Sequence, residues 1–322
     1  MNKTGFFSRR DFISAAGGLV AVSALPALAE DNPLVFPSRG RFERLALAYQ
    51  HIEVGASEPF SILHISDTHL TSAYSHEPES RRISSERRTM TFGGRQEEAL
   101  RDSLAWAKDH VDYVLHTGDL IDWQSEANFD LVRKYFGDKV MAAIGNHELV
   151  TFDPDEKCSY EQSFKDRSWP LLKNVFPMDC RFSSKVVNRV NFICLDDSFG
   201  TVQSDQVELF HKEAKKGLPI VLAMHVPFTS GHILRACSKF WATGKNLKFR
   251  SAAFPKLWGD FVRQEKDRVT SDFIKYLKSE KLLKAILAGH LHITVQDRFS
   301  PTATQYLVGG NFMFHGQEIT FS

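Results

Sequence analysis

The sequence predicts an α/β layered fold with substantial parallel strand pairing. Two observations carry this: six apolar runs of four to seven residues, rich in Ile, Val and Leu, and amphipathic helical stretches set between several of them. A third observation bears on function. Asp, His and Asn stand at the carboxyl ends of five of the runs, the edge where open α/β sheets build their sites.

Taken in chain order, the first segment precedes the fold. Paired arginines, an apolar run too short to span a bilayer and Ala27-Leu28-Ala29 follow one another over residues 1–29, in the order of an exported precursor with a small-x-small cleavage pattern. Ser8-Arg9-Arg10-Asp11-Phe12-Ile13 resembles a twin-arginine signal, which implies a twin-arginine translocase as partner and a periplasmic or secreted mature chain. The competing reading is a basic amphipathic N-terminus that stays on the protein. Residues 30–41, with "DNPLVFPSRGR", read as a tether, and residues 42–322 as the domain.

With 322 residues, 43% hydrophobic and 25% charged, the composition is that of a globular chain, neither disordered nor membrane-embedded. The formal charge is +1, and loss of Lys3, Arg9, Arg10 and Asp11 with the signal leaves −1. That balance does not suit a generic nucleic-acid binder, and no stable nucleic-acid partner is expected. The cysteines, Cys158, Cys180, Cys194 and Cys237, match no zinc-ribbon spacing, and Cys194 inside "VNFICLD" reads as a buried small hydrophobe.

The six runs are "FSILHIS" to Ser66, "DYVLHTG" to Gly118, "VMAAIG" to Gly145, "VNFICLD" to Asp196, "PIVLAMH" to His225 and "KAILAG" to Gly289. Each suits a strand buried on both faces. Between them, "RQEEALRDSLAWAKDH" spaces Leu100, Leu104, Ala107 and Val111 as one helical face, and "SDQVELFHKEAKK" opens on a Ser/Asp cap signal. The closing stretches "HITVQDRF", "TQYLVGG" and "EITF" read as antiparallel strands.

What stands at the run ends is the functional signal. Asp67-Thr68-His69 follows the first, Gly118-Asp119-Leu120-Ile121-Asp122 the second and Gly145-Asn146-His147-Glu148 the third; His225-Val226-Pro227 and Gly289-His290-Leu291-His292 follow two others. In an extended backbone His290 and His292 point to one side, which alone fits either a surface pair or a ligand pair. Carboxylate, imidazole and amide oxygen without thiolate suit Mn, Fe, Zn, Co or Ni. One aspartate can bridge two such ions about 3.5–4 Å apart, the spacing used for displacement at phosphorus.

Together, Asp-x-His, Gly-Asp-x-x-Asp, Gly-Asn-His-Glu, a lone His and Gly-His-x-His resemble the calcineurin-like metallophosphoesterase superfamily, over roughly residues 60–310. The resemblance implies a four-layered α/β sandwich of two mixed central sheets flanked by helices. It implies two divalent or trivalent metal ions, one on Asp67, His69 and His292, the other on Asn146, His225 and His290, with Asp119 bridging and His147 beside the substrate. The chain departs at Val226, where many members have a second histidine. The implied activity is phosphoester hydrolysis by a metal-bridging hydroxide, with a slight lean to phosphodiesters because His147 suits an alkoxide leaving group. Phosphomonoesterase or nuclease activity on the same core, and a non-catalytic metal-dependent binding protein, are the alternatives.

Other residues carry plainer readings. His64 and His116 lie within strands and read as satisfied core histidines, and Asp122 as a residue orienting a ligand. Asp196 and Asp197 follow a strand at the same end of the sheet and are weighed as site neighbours. The arginine-rich "HEPESRRISSERRTMTFGGRQ" reads as a solvated, mobile loop. Residues 233–259 hold six Lys/Arg, five Phe/Trp and no acid, so Trp241, Lys245, Lys248 and Arg250 are candidates to grip an anionic small molecule or lipid head group; the alternative is a loop whose aromatics cover the core.

Overall fold

Apolar runs that can be buried on both faces set the framework. The computed structural model describes residues 35–37, 42–137, 140–150, 161–242 and 267–322. In chain order the strands among them are β1 (Val35–Pro37), β2 (Ala46–Ile52), β3 (Phe60–Ile65), β4 (Tyr113–Thr117), β5 (Val140–Ala143) and β6 (Phe182–Val187). They continue as β7 (Val190–Leu195), β8 (Ile220–Ala223), β9 (Leu283–Ala288), β10 (Val295–Arg298), β11 (Thr304–Leu307) and β12 (His315–Phe321). The helices are α1 (Glu79–Thr91), α2 (Gln96–His110), α3 (Glu126–Tyr135), α4 (Gln162–Leu172), α5 (Ser204–Ala214), α6 (Gly231–Ala242) and α7 (Arg268–Ser279).

The six apolar runs are β3, β4, β5, β7, β8 and β9, and every residue of β3, β7 and β8 is buried. They divide between two mixed six-stranded sheets, ordered β1-β2-β12-β3-β4-β5 and β10-β11-β9-β8-β7-β6. Because side chains alternate along a strand, each buried strand feeds two cores. Phe60 and Ile62 of β3 face the second sheet, whereas Leu63 and Ile65 pack under α2, α3 and α4. Likewise Ala285 and Leu287 of β9 join the central core, and Ile286 and Ala288 pack under α5, α6 and α7. Three cores and four layers result.

Register then fixes where the site must lie. Parallel pairing of Ile65 with His116 and of Thr117 with Ala143 brings the carboxyl ends of β3, β4 and β5 level, and pairing of Ala223 with Leu287 does so for β8 and β9.

Four expectations are corrected. β1 pairs antiparallel with β2, so the range read as a tether contains a strand. β11 runs parallel to β9, and β12 is antiparallel to β3 but parallel to β2; only β10 and β11 make an antiparallel closing pair. The cap of α5 is Gln203, in a reciprocal box with Gln206, one residue before the Ser/Asp pair. Most consequential, the arginine-rich stretch is not a loop: its centre is the thirteen-residue α1, which buries only Ser85 and so shows no apolar face to read.

The two sheets are locked by aromatic rings. Phe192 is fully buried and meets Phe60 at 5.9 Å and Phe321 at 5.3 Å, both edge-to-face. Phe192→Ala is expected to lower unfolding stability by about 3–5 kcal/mol through the cavity it leaves; chemical denaturation of the two proteins checks this, and a loss below about 1 kcal/mol would place the lock elsewhere.

Candidate metal centre

Each site residue sits in the first turn after a strand. The backbone there bends sharply, and Asp67, His69, Asp119, His290 and His292 all have positive φ, between 52° and 67°. Asp, Asn and His tolerate this left-handed region better than other residues with a Cβ, and each such residue costs free energy that surrounding structure must offset. Close approach demands glycine beside them. A methyl group on Gly145 would run into Asp119 Oδ1, and one on Gly289 into Ser66 Oγ and Asp67.

The structure brings Asp67, His69, Asp119, His147, His225, His290 and His292 together. Three overlapping groups have ligand atoms all within 4.8 Å: Asp67, His69 and His292; Asp119, His225 and His290; and His69, Asp119 and His147. Within the first, His292 Nε2 is 3.3 Å and His69 Nε2 4.0 Å from Asp67 Oδ1. Asp119 Oδ2 lies between the groups, 3.2 Å from His225 Nε2 and 3.8 Å from His69 Nε2. Its Oδ1 is already engaged by the His147 amide at 2.9 Å. Oδ2 is the oxygen that faces ring nitrogens of two of the groups.

Ring tautomers are set from behind. His225 Nδ1 donates to the Thr117 carbonyl at 2.7 Å and His69 Nδ1 to Asp122 Oδ1 at 3.0 Å, so both rings present Nε2 to the centre. His225 Nε2 faces His290 Nδ1 at 3.2 Å, and His69 Nε2 faces His292 Nε2 at 3.3 Å. Two such nitrogens hold at most one proton between them, an arrangement that a cation satisfies.

Electrostatics point the same way. Burial opposes charge on Asp67 and Asp119, yet neighbouring histidines hold both carboxyls below their ordinary range. His225 is pushed up to about 10, burial being outweighed by Asp119, while burial together with His225 brings His290 down to about 3. Asn146 Oδ1 and His290 Nε2 are buried with no hydrogen-bond partner. Two buried carboxylates, imidazole nitrogens turned inward and an unpartnered amide oxygen fit metal ions of the borderline class.

His147 stands at the edge, 19% exposed, with its ring edge-on to His69 at 4.7 Å. Nδ1 donates to the Asp122 carbonyl at 2.8 Å and lies 3.1 Å from Asp122 Oδ1. Burial is outweighed by Asp119 and Asp122, and the ring is pushed up to about 9. Asp122 thus orients two histidines, and Arg88 of α1 closes on it with a two-toothed guanidinium contact, Nη2 to Oδ1 at 2.8 Å and Nε to Oδ2. Phe92, the C-cap of α1, stacks on His69 at 4.0 Å and 8°.

Further carboxylates hold the turns. Glu148 accepts backbone N–H groups from Asp119 at 2.9 Å, Ile121 at 3.1 Å and Gly145 at 2.6 Å, tying two strand ends into one body. Asp197 Oδ1 accepts those of His225 and Val226 at 2.9 and 3.1 Å, so it touches the site through the backbone. Asp196 turns away, to Lys165 and Trp169. Val226 is buried, and its side chain stands in no ligand group. His64 and His116 are core histidines, His64 bonded to Thr117 Oγ1 at 2.9 Å and His116 to Thr68 Oγ1 at 3.0 Å.

Of the 233–259 stretch, the first ten residues belong to α6, with Ile233 and Cys237 in the second core. Trp241 lies in its last turn, though its side chain is outside the described residues, as are Lys245, Lys248 and Arg250. Sequence reasoning missed Arg88, Phe92 and the function of Glu148. Only Glu148 had a signal, its place in Gly-Asn-His-Glu directly after two site residues.

Comparison with known proteins gives one decisive match. Among solved structures the chain is similar to a dimetal phosphatase from Danio rerio, at 14% identity over 79% of this chain and 88% of that one, with a TM-score of 0.43. It is also similar to a purple acid phosphatase from yellow lupin seeds, at 13% identity, 80% and 45% coverage and a TM-score of 0.47. A 5'-nucleotidase from Candida albicans gives 13% identity, 86% and 47% coverage and a TM-score of 0.38. The chain thus spans less than half the length of the last two, and likeness at this level carries no inference about substrate. No curated protein matches the chain. The family profile described as calcineurin-like phosphoesterase matches residues 60–294, which takes in every site residue from Asp67 to His292, and the chain belongs to that family.

Proposed function

We propose that this protein is an exported phosphoester hydrolase working with two metal ions, with a slight lean to phosphodiesters. The observation that carries the two-ion reading is Asp119 Oδ2, within 3.8 Å of ring nitrogens from both ligand groups. Asp67, His69 and His292 would hold one ion and Asn146, His225 and His290 the other, with Asp119 shared. Such ions, when bound, supply positive charge for the phosphoryl oxygens and lower the pKa of a water near them.

The chain's own groups supply the rest. His147, held at the rim by Asp122, gives a proton to the leaving oxygen as the P–O bond breaks. An alkoxide needs that proton most, so the histidine suits alkyl esters over aryl esters and gives only a slight lean to phosphodiesters. Asp122, Glu148 and Asp197 bring no group to phosphorus; they fix the rings and turns that do. The export reading rests on Ser8-Arg9-Arg10-Asp11-Phe12-Ile13 and Ala27-Leu28-Ala29.

The experiment is a hydrolysis panel of monoesters, diesters, nucleotides and phospholipid head groups against protein loaded with Mn, Fe, Zn, Co or Ni. About two ions per chain are expected by elemental analysis, with activity lost on chelation and most severely reduced in Asp119→Asn. Full activity in that variant, or in metal-free protein, would overturn the two-ion reading. His147→Ala should keep its metal yet slow alkyl esters roughly 10²–10⁴-fold, the usual worth of a positioned acid, and slow nitrophenyl esters less. Equal losses on the two leaving groups would remove the acid assignment. For export, Arg9→Lys with Arg10→Lys should strand an uncleaved precursor in the cytoplasm of a bacterial host, and undiminished periplasmic product would refute it.

A further inference from the structure

We propose that α1, through Arg88 and Phe92, is a positioning element for the His69 side of the centre. The contacts close into a ring. Arg88 grips Asp122 with two guanidinium nitrogens; Asp122 Oδ1 holds His69 Nδ1 at 3.0 Å; His69 stacks on Phe92 at 4.0 Å; and Arg88 Cζ lies 4.9 Å over the Phe92 ring. His69 is thereby held from its edge and from its face by one helix. Among the described residues no comparable device stands behind His225, which rests on a backbone carbonyl.

Why this helix exists supports the assignment. α1 buries one residue, Ser85, and leaves Ile83 58% and Met90 74% exposed, so hydrophobic burial does not account for its docking. Its attachments are few and mostly polar: Ser85 Oγ accepts from Thr71 Oγ1 at 3.2 Å, Arg81 pairs with Glu77, and Arg88 and Phe92, in the last turn and cap, both lead to His69. Phe312, from the turn before β12, completes the wall at 4.9 Å from Phe92 and 5.1 Å from His292. Asp122 Oδ1 also lies against His147, so the same grip aligns the rim histidine.

A guanidinium suits this place for geometric reasons. Asp122 is fully buried; its Oδ1 accepts from His69 Nδ1 and lies 3.1 Å from His147 Nδ1, which leaves Oδ2 requiring a donor. Arginine satisfies it while engaging Oδ1 as well, and so fixes the carboxylate plane; a lysine could supply charge but not the fork. Residues behind a metal-bound histidine typically alter metal affinity 10–100-fold when removed.

The inference rests on the metal-centre reading, and its test separates the two. Mn²⁺ is titrated calorimetrically into the full chain as wild type, Arg88→Ala, Arg88→Lys, Phe92→Leu and the exposed neighbour control Arg87→Ala, with thermal unfolding of each metal-free protein. Arg88→Ala is expected to weaken one of two binding steps 10–100-fold and leave the other within about twofold. Arg88→Lys should recover part of that loss, Phe92→Leu should weaken the same step, and millimolar guanidinium should restore Arg88→Ala. Unchanged binding in Arg88→Ala would overturn the proposal, as would equal weakening of both steps with a lowered melting temperature and no guanidinium rescue. A wild type that binds a single ion removes the two-ion reading, while a weakened Arg88→Ala still upholds the role of α1. A wild type that binds none overturns both.

Discussion

Two buried carboxylates, Asp67 and Asp119, at the ends of adjacent parallel strands impose the constraint on which the site depends. Ionised groups without water demand compensating charge and directed hydrogen bonds, and the fold supplies both from several directions. Imidazoles arrive from the first sheet as His69 and His147 and from the second as His225, His290 and His292. Backbone amides arrive too: His290 donates to Asp67 Oδ2 at 2.9 Å and His147 to Asp119 Oδ1 at 2.9 Å. Neither sheet alone could neutralise the pair, so charge compensation couples the two halves of the sandwich.

That coupling accounts for the backbone strain. Carrying side chains from two sheets to one point within a few ångströms requires the chain to turn at once after each strand, and positive φ at five of the converging residues is the outcome. Glu148 and Asp197 offset the cost. Each is a buried carboxylate spent on backbone N–H groups rather than on the centre, and each is pushed upward by burial, Glu148 to about 7 and Asp197 to about 6. The turns are thereby fixed before any ligand arrives, which is what a preorganised electrostatic site requires.

How far the sequence disclosed this follows from what each residue does. Strands buried on both faces leave continuous apolar runs, so β3, β4, β5, β7, β8 and β9 were legible to within a residue or two. The converging Asp and His residues were legible because they interrupt those runs at the same end. β2 and β6 were not, since both mix buried with exposed positions and lack a continuous run. The pairing of β11 and β12 depends on which neighbours lie beside them, and no local pattern encodes that. α1 escaped for the opposite reason to the core strands: arginines and serines dominate it, and it is held by a guanidinium fork and one aromatic cap instead of an apolar stripe.

The same contrast explains how one fold can keep its chemistry while its surroundings vary. Residues that compensate Asp67 and Asp119 are bound by geometry: a methyl on Gly145 or Gly289 collides with the carboxylates or their support, and the turns bearing the ligands have no slack. α1 stands under a weaker constraint. It must present one guanidinium to Asp122 and one capping ring to His69, but twelve of its thirteen residues make neither contact, and of those twelve only Ser85 is buried. A helix with so little buried surface can differ in length and charge between related chains at small cost in stability, because its outer face contributes little to the core. The centre is therefore held by a rigid inner set that burial enforces and a replaceable outer brace.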